Sequence, residues 1–384
     1  MCYTVAVPIG LHANPQPDIT AFLKDRIAAG DFPSAVYSVA ENGEAVFTDA
    51  IGDALRQPES HPATLQTIYD LASLTKPLVT GLLCALMIEE GVFHLDSAAS
   101  NYLSEFDHHD KRNITISQLA THTSGLPAWR PLYLLADNPG DALEAIAAQP
   151  LEYEPGERVV YSDLGFIALG FLLQRIASLS LAELATKEIF APLNLTNTFF
   201  NPTVAVRTGI AACETGNAYE RDMCERDFPG KTYPGWRNEI IWGAVHDGNA
   251  HFLGGAAGHA GLFSTTEETV RLANQFVAEL SDLLSPVTCG LFRRNMTEGL
   301  NQARSFAWQL AATTDSTAGA SLPPDAFGHT GFTGTSCWVD AERQRVFILL
   351  TNRTHERQLP FANINAVRRE FHRLAVGALD SRTE

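Results

Sequence analysis

Ser73 and Lys76 stand three residues apart in Leu71-Ala72-Ser73-Leu74-Thr75-Lys76-Pro77, which opens the apolar run Leu78 to Gly91. The run reads as a buried helix stopped by Gly91. Backbone N–H groups at its first turn lack partners, and the helix dipole favours negative charge there. Residues three apart share a helix face, so the Lys76 amine is expected beside the Ser73 hydroxyl. Burial disfavours an ammonium, so a lowered lysine pKa is expected, with the amine taking the serine proton. The chemistry on offer is nucleophilic acyl transfer. Alone, the pair also fits an ordinary helix cap followed by a surface lysine.

Two more groups lie downstream. Tyr161-Ser162-Asp163 precedes a long apolar helix. A tyrosine there can present its hydroxyl to a nearby serine and lysine. Near a cation its pKa is expected to fall, and it can pass a proton to a leaving group. His329-Thr330-Gly331-Phe332-Thr333-Gly334 puts repeated glycines in a strand, which implies close approach of a ligand or another backbone. An edge strand there supplies an N–H opposite that of Ser73, and two such donors hold an oxyanion. The plain alternatives are an aromatic plug at a helix start and a glycine-rich bend at a sheet edge.

S-x-x-K, Y-S-D and H-T-G in this order, with Leu119 to Pro127 and Gly258 to Ser264, resemble the serine β-lactamase and penicillin-binding-protein superfamily. The nearest likeness is the class C-related branch, which includes family VIII-type esterases. It covers about Asp18 to Leu379. The resemblance implies an α+β, β-lactamase/transpeptidase-like fold, with an antiparallel sheet flanked by helices plus a helical subdomain. That is one domain over residues 1–384, its α/β part about 1–76 and 258–384 and its helical part about 77–257. The resemblance makes Ser73 the nucleophile, Lys76 its base and Tyr161 a proton-transfer group. The N–H groups of Ser73 and Phe332 form the oxyanion hole, and Asp163, His329, Thr330 and Gly331 bind substrate. It implies no metal or organic cofactor, and water deacylates the enzyme.

Two positions depart from the common pattern. Asp163 replaces an asparagine, and if ionised it raises the Lys76 pKa. His329 replaces the K-T-G lysine that holds a substrate carboxylate, and a histidine is mostly neutral at pH 7. Carboxylic esters of small acyl groups are therefore the first expectation. A D-amino-acid or cell-wall peptidase or amidase, or a weak β-lactamase, is the alternative. A catalytically silent binding or assembly homologue is the non-enzyme reading. The sequence leaves the oligomeric state open.

The net charge is −17 and no basic run exists, which argues against nucleic acid and anionic membranes as partners and leaves a small-molecule ester, amide or lactam. Met1 to Pro8 lacks a basic start and a long apolar core, so no signal peptide is expected. Nor is a membrane span expected. As written the chain reads as cytoplasmic, or as periplasmic or secreted if its true start lies upstream. None of the six cysteines forms C-x-x-C. Cys84 and Cys337 read as buried thiols, and Cys213 and Cys224 could pair in an oxidising compartment. His246, Asp247, His251 and His259 match no zinc spacing, so no metal is assigned. His246 and Asp247 are expected to hydrogen-bond each other, and His122 to be structural. Trp236, Trp242 and Phe252 are expected either to line the substrate cleft or to pack in the core or a loop.

The positioning elements follow from patterning. A helix is expected from Asp18 to Gly30. Strands Ser34 to Ala40 and Ala45 to Gly52 flank Asn42-Gly43, a hairpin signal. Helices are expected over Ile114 to His122, Asp141 to Gln149, Asp163 to Ser178 and Leu181 to Phe190. Asn201 to His251 has no assignment. A short strand Gly258 to Phe263 precedes Ser264-Thr265-Thr266-Glu267, a capping box opening a helix to about Leu280. Strands Gly328 to Asp340 and Arg345 to Asn352 and a helix Phe361 to Leu379 close the chain.

Overall fold

Seven strands form one antiparallel sheet whose middle joins the two ends of the chain. Among the described residues there are nine strands in all, β1 (Ser34–Glu41), β2 (Glu44–Leu55), β3 (His61–Pro62), β4 (Tyr69–Asp70), β5 (Phe263–Ser264), β6 (Gln309–Leu310), β7 (Phe327–Thr330), β8 (Ser336–Asp340) and β9 (Arg345–Thr351). The sheet order is β3-β2-β1-β9-β8-β7-β6, and β4 and β5 pair separately. The structure is a computed structural model describing residues 13–107 and 110–382. Met1 to Pro8, read above for targeting, lies outside the described residues, as does Cys2.

The β1–β2 turn holds Asn42 at φ 53° and Gly43 at φ 84°, the left-handed pair that a two-residue hairpin needs. On its other side β1 pairs with β9, from Ala35 opposite Thr351 to Glu41 opposite Arg345. Alternate side chains of β9 face opposite ways. Phe347 and Leu349 pack with Tyr37, Trp338 and the helices Pro17–Ala28 and Asn365–Asp380. Val346, Ile348 and Leu350 face the larger core, with Leu74, Leu78, Leu82 and Trp308. Both faces are covered, so β9 is apolar at nearly every position.

Three expectations change near the site. The Ser73 run is not one α-helix. It begins as a 3-10 turn, Ala72–Leu74, widens to a π-helical turn, Lys76–Gly81, and becomes α-helical only over Leu82–Glu89. Pro77 cannot donate to the helix ladder, and π turns recur at functional sites. The stretch Ala72–Glu89 is also long and apolar enough to cross a membrane, contrary to expectation, but 78% of it is buried inside the protein. Finally, Gly328 to Asp340 is not continuous: β7 and β8 are separate strands joined by the turn Gly331 to Thr335. A Cβ on Gly331 would lie 2.1 Å from Thr335 Oγ1 and 2.5 Å from the Leu71 carbonyl, so this glycine lets the turn reach the segment before Ser73.

Other bounds shift by local chemistry. Ser264 is used in β5 opposite Tyr69, so Thr265 caps the next helix, which runs Thr266–Asn274. The unassigned region holds helices Ala218–Asp227 and Gly248–Phe252, and both border the site.

Candidate active site

A cavity of about 670 Å3 lies between the sheet edge and the helices. Its lining includes Ser73, Tyr161, Asp163, His329, Thr330, Gly331 and Phe332. The structure thus brings these sequence-predicted residues together, with Lys76 wholly buried behind Ser73.

Backbone geometry aims Ser73. Ala72 has φ 48°, a left-handed value that costs a residue with a Cβ about 1 kcal/mol or more. Asp70 holds it there by accepting from the Ala72 N–H at 2.8 Å and the His246 N–H at 2.7 Å. The turn after β7 is tied to the same segment. Thr333 Oγ1 donates to the Asp70 carbonyl at 2.7 Å, and Thr335 Oγ1 to that of Leu71 at 2.9 Å. Phe332 therefore faces Ser73 across the cavity edge. No acceptor among the described residues takes the N–H of either residue. Two unpaired donors so fixed can stabilise a developing oxyanion.

Lys76 Nζ donates to Ser73 Oγ at 2.9 Å and to the His259 carbonyl at 3.1 Å. Asp163 Oδ1 lies 2.7 Å from Nζ as an ion pair, off the line of an aligned hydrogen bond. Burial alone would pull the Lys76 pKa down, but Asp163 and Tyr161 outweigh it and the net direction is up. The expected fall is thus overturned, and the effect foreseen for an ionised Asp163 prevails. Tyr161 also departs from expectation. Burial pushes its phenol up, and the opposing pull of Lys76, 4.8 Å from the ring centroid, is smaller. The resting site holds an ammonium and a neutral phenol beside the serine hydroxyl.

Ser162 caps the helix Asp163–Ala177, its side chain accepting from the Gly165 N–H, which fixes Tyr161 and Asp163 on either side of the cap. The His122 ring packs on Tyr161 with centroids 4.6 Å apart and planes tilted by 38°, and its Nδ1 accepts from the Ser162 N–H at 3.0 Å. It orients the tyrosine, a role closer to the chemistry than the sequence suggested. His329 Nδ1 donates to the Thr330 carbonyl at 2.9 Å. Burial, then the Lys76 and Arg304 charges, hold both His329 and His122 well below the ordinary histidine value, Arg304 preceding Lys76 for His122. His329 is neutral here.

The His246–Asp247 pair does not form. His246 Nε2 meets Glu214 Oε1 at 2.8 Å, and His259 Nε2 meets Asp247 Oδ1 at 2.8 Å. Asp247 caps the helix Gly248–Phe252, which turns its carboxylate away from the neighbouring ring. Cys213 and Cys224 are separate buried thiols. Trp236 packs with Tyr133 and Tyr233, Trp242 donates to the Ile210 carbonyl, and Phe252 packs on the core. The aromatic wall is instead Trp129, Tyr219, Phe332 and Phe361. Its sequence signal was weak, since these residues come from four distant segments.

Glu220 also lines the cavity, accepting from Tyr133 Oη at 2.9 Å and the Gly248 N–H at 2.7 Å. Burial, then the Asp247 charge, pushes its pKa from 4.5 up to about 7. Between those values the folded protein binds more protons than the unfolded chain. The stability this group contributes is full below pH 4.5 and is lost as pH rises through about 7. The melting temperature of wild type minus that of Glu220→Gln should therefore fall from pH 5 to pH 8. A difference independent of pH would contradict the assignment.

The chain matches the family model described as Beta-lactamase over residues 19–369. A curated Escherichia coli O157:H7 protein named "Putative D-alanyl-D-alanine carboxypeptidase" is 31% identical over 375 residues, covering 90% of this chain and 84% of that protein. Among solved structures, a penicillin-binding protein homologue from Caulobacter crescentus superposes with TM-score 0.74 at 18% identity, covering 96% of this chain and 99% of that one. A hydrolase with promiscuous acyltransferase activity gives TM-score 0.73 at 22% identity, covering 94% and 98%. At those identities the structural likenesses establish the fold alone.

Proposed function

Since the chain belongs to the beta-lactamase family of serine hydrolases, we propose that it cleaves peptides before a C-terminal D-amino acid, as a D-alanyl carboxypeptidase does. The observation that carries this is the 31% identity, over nine-tenths of the chain, to a protein named for that activity. Esters were expected because position 329 lacks a cation. The cavity is not short of positive charge, however: Arg304, Arg353 and Arg368 all line it.

Ser73 Oγ attacks the carbonyl carbon, and the N–H groups of Ser73 and Phe332 hold the oxyanion. The serine proton enters the Lys76–Tyr161 pair in the fraction of molecules where that pair has released one. It passes from there to the departing nitrogen, which leaves as a neutral amine. Water then attacks the acyl-Ser73 ester and restores the hydroxyl. Because Asp163 keeps Lys76 charged, acylation speeds up as pH rises toward the pKa of the pair.

The test compares three substrates: an N-acylated peptide ending in D-Ala-D-Ala, its L-terminal epimer, and p-nitrophenyl butyrate. Release of D-alanine with kcat/KM well above that for the L epimer is expected. Turnover of the butyrate ester with neither peptide cleaved would replace this reading by the esterase one.

A further inference from the structure

Arg304 is 6% exposed, lines the active-site cavity, and forms no ion pair with any carboxylate among the described residues. Its Nε and Nη2 both donate to one oxygen, Gln302 Oε1, at 3.2 and 2.7 Å. No acceptor among the described residues takes Nη1. The guanidinium lies 6.0 Å from the Tyr161 ring centroid, and its charge is felt at His329.

A buried cation without a counter-charge is costly. Burial pushes the Arg304 pKa down to about 10, and Tyr161 opposes that push only in part. The two other cavity arginines are committed elsewhere. Arg353 donates to the carbonyls of Phe332 and Ala362. Arg368 donates to Asn365 Oδ1 and to the carbonyls of Gly331 and Thr335. Both hold the main chain around the turn after β7. Of the three, only Arg304 leaves a terminal Nη group without a partner among the described residues, while Arg368 leaves only its buried Nε; the Nη edge of a guanidinium matches a carboxylate in charge and shape.

We propose that Arg304 is the specificity-determining residue that binds the substrate's carboxylate, supplying from the segment before β6 the positive charge that neutral His329 does not. The identity of the anion as a peptide C-terminus rests on the carboxypeptidase reading. The presence of an anion subsite at Arg304 does not.

Two arylboronic acids separate these claims, one neutral and one carrying a carboxylate on the ring. Both are Lewis acids that a serine oxygen can add to, so neither needs to be turned over. Calorimetric titration of the wild type is expected to give at least about tenfold tighter binding of the carboxylate compound. Arg304→Gln should reduce that preference to within about twofold while leaving the neutral compound's affinity unchanged, which also reports an intact site. Arg304→Lys should retain part of it, because charge remains without the planar fork. A preference that survives in Arg304→Gln, or none in the wild type, would overturn the proposal. If both variants lose the neutral compound as well, Arg304 is structural and the proposal fails. A wild type that releases no D-alanine yet shows the Arg304-dependent preference would sink the peptide reading and keep the anion subsite.

Discussion

Ser73→Ala is expected to lower kcat/KM by about 10,000-fold and to abolish covalent labelling by a fluorophosphonate. The hydroxyl is the atom that Lys76 Nζ contacts at 2.9 Å, and it belongs to a residue lining the cavity that Phe332 also lines. Removing a nucleophile leaves only oxyanion stabilisation and binding, which still speed reaction with water by about 1,000-fold or more in comparable sites. The residual rate should therefore be small but measurable with a sensitive substrate. Steady-state kinetics and intact-protein mass spectra check both halves. A variant that keeps more than a tenth of the activity, or still gains the label's mass, would move the nucleophile elsewhere.

Lys76→Met should cut kcat/KM by about 1,000-fold, because the serine proton then has no acceptor in contact. It should also cost roughly 3 kcal/mol of stability, since Asp163 would lose its ion-pair partner to an apolar side chain. The second effect separates ion-pair loss from loss of the base. Adding Asp163→Asn should recover most of the stability in denaturant titration and none of the activity. Asp163→Asn alone acts in the other direction on chemistry. It removes the charge that holds the Lys76 pKa up, so the alkaline rise of kcat/KM should move to lower pH. A profile that moves to higher pH, or not at all, would show that Lys76 is not the group that titrates.

These two residues were legible because three positions on a helix turn put side chains on one face, whichever helical pitch the turn adopts. The direction of the Lys76 pKa was not. It depends on a 2.7 Å approach by Asp163, which comes from another helix 87 positions away, and spacing alone sets neither that distance nor the ionisation. The hairpin at Asn42-Gly43 was readable from two residue types. The turn inside His329 to Ser336 was half readable: its glycines signalled close approach, but the partner, the Leu71 carbonyl, lies far away in sequence. Arg304 gave no signal at all. In the sequence it is one arginine in a polar stretch, and only its burial without a carboxylate makes it informative. His122 read as a structural residue, and it does sit just past its helix, at φ 61°, yet its ring also packs on Tyr161.

The pairing of β1 with β9 has a consequence for biosynthesis. The Ser34 N–H donates to Asn352 Oδ1 across 318 positions, and the turn that carries Phe332 leads into β8, which reaches β1 only through β9. A ribosome-bound chain therefore carries its serine and lysine long before it has a working site. Contacts so distant in sequence also form slowly. A chain that stops before β9 therefore lacks the strand that joins its first hairpin to the turn carrying Phe332.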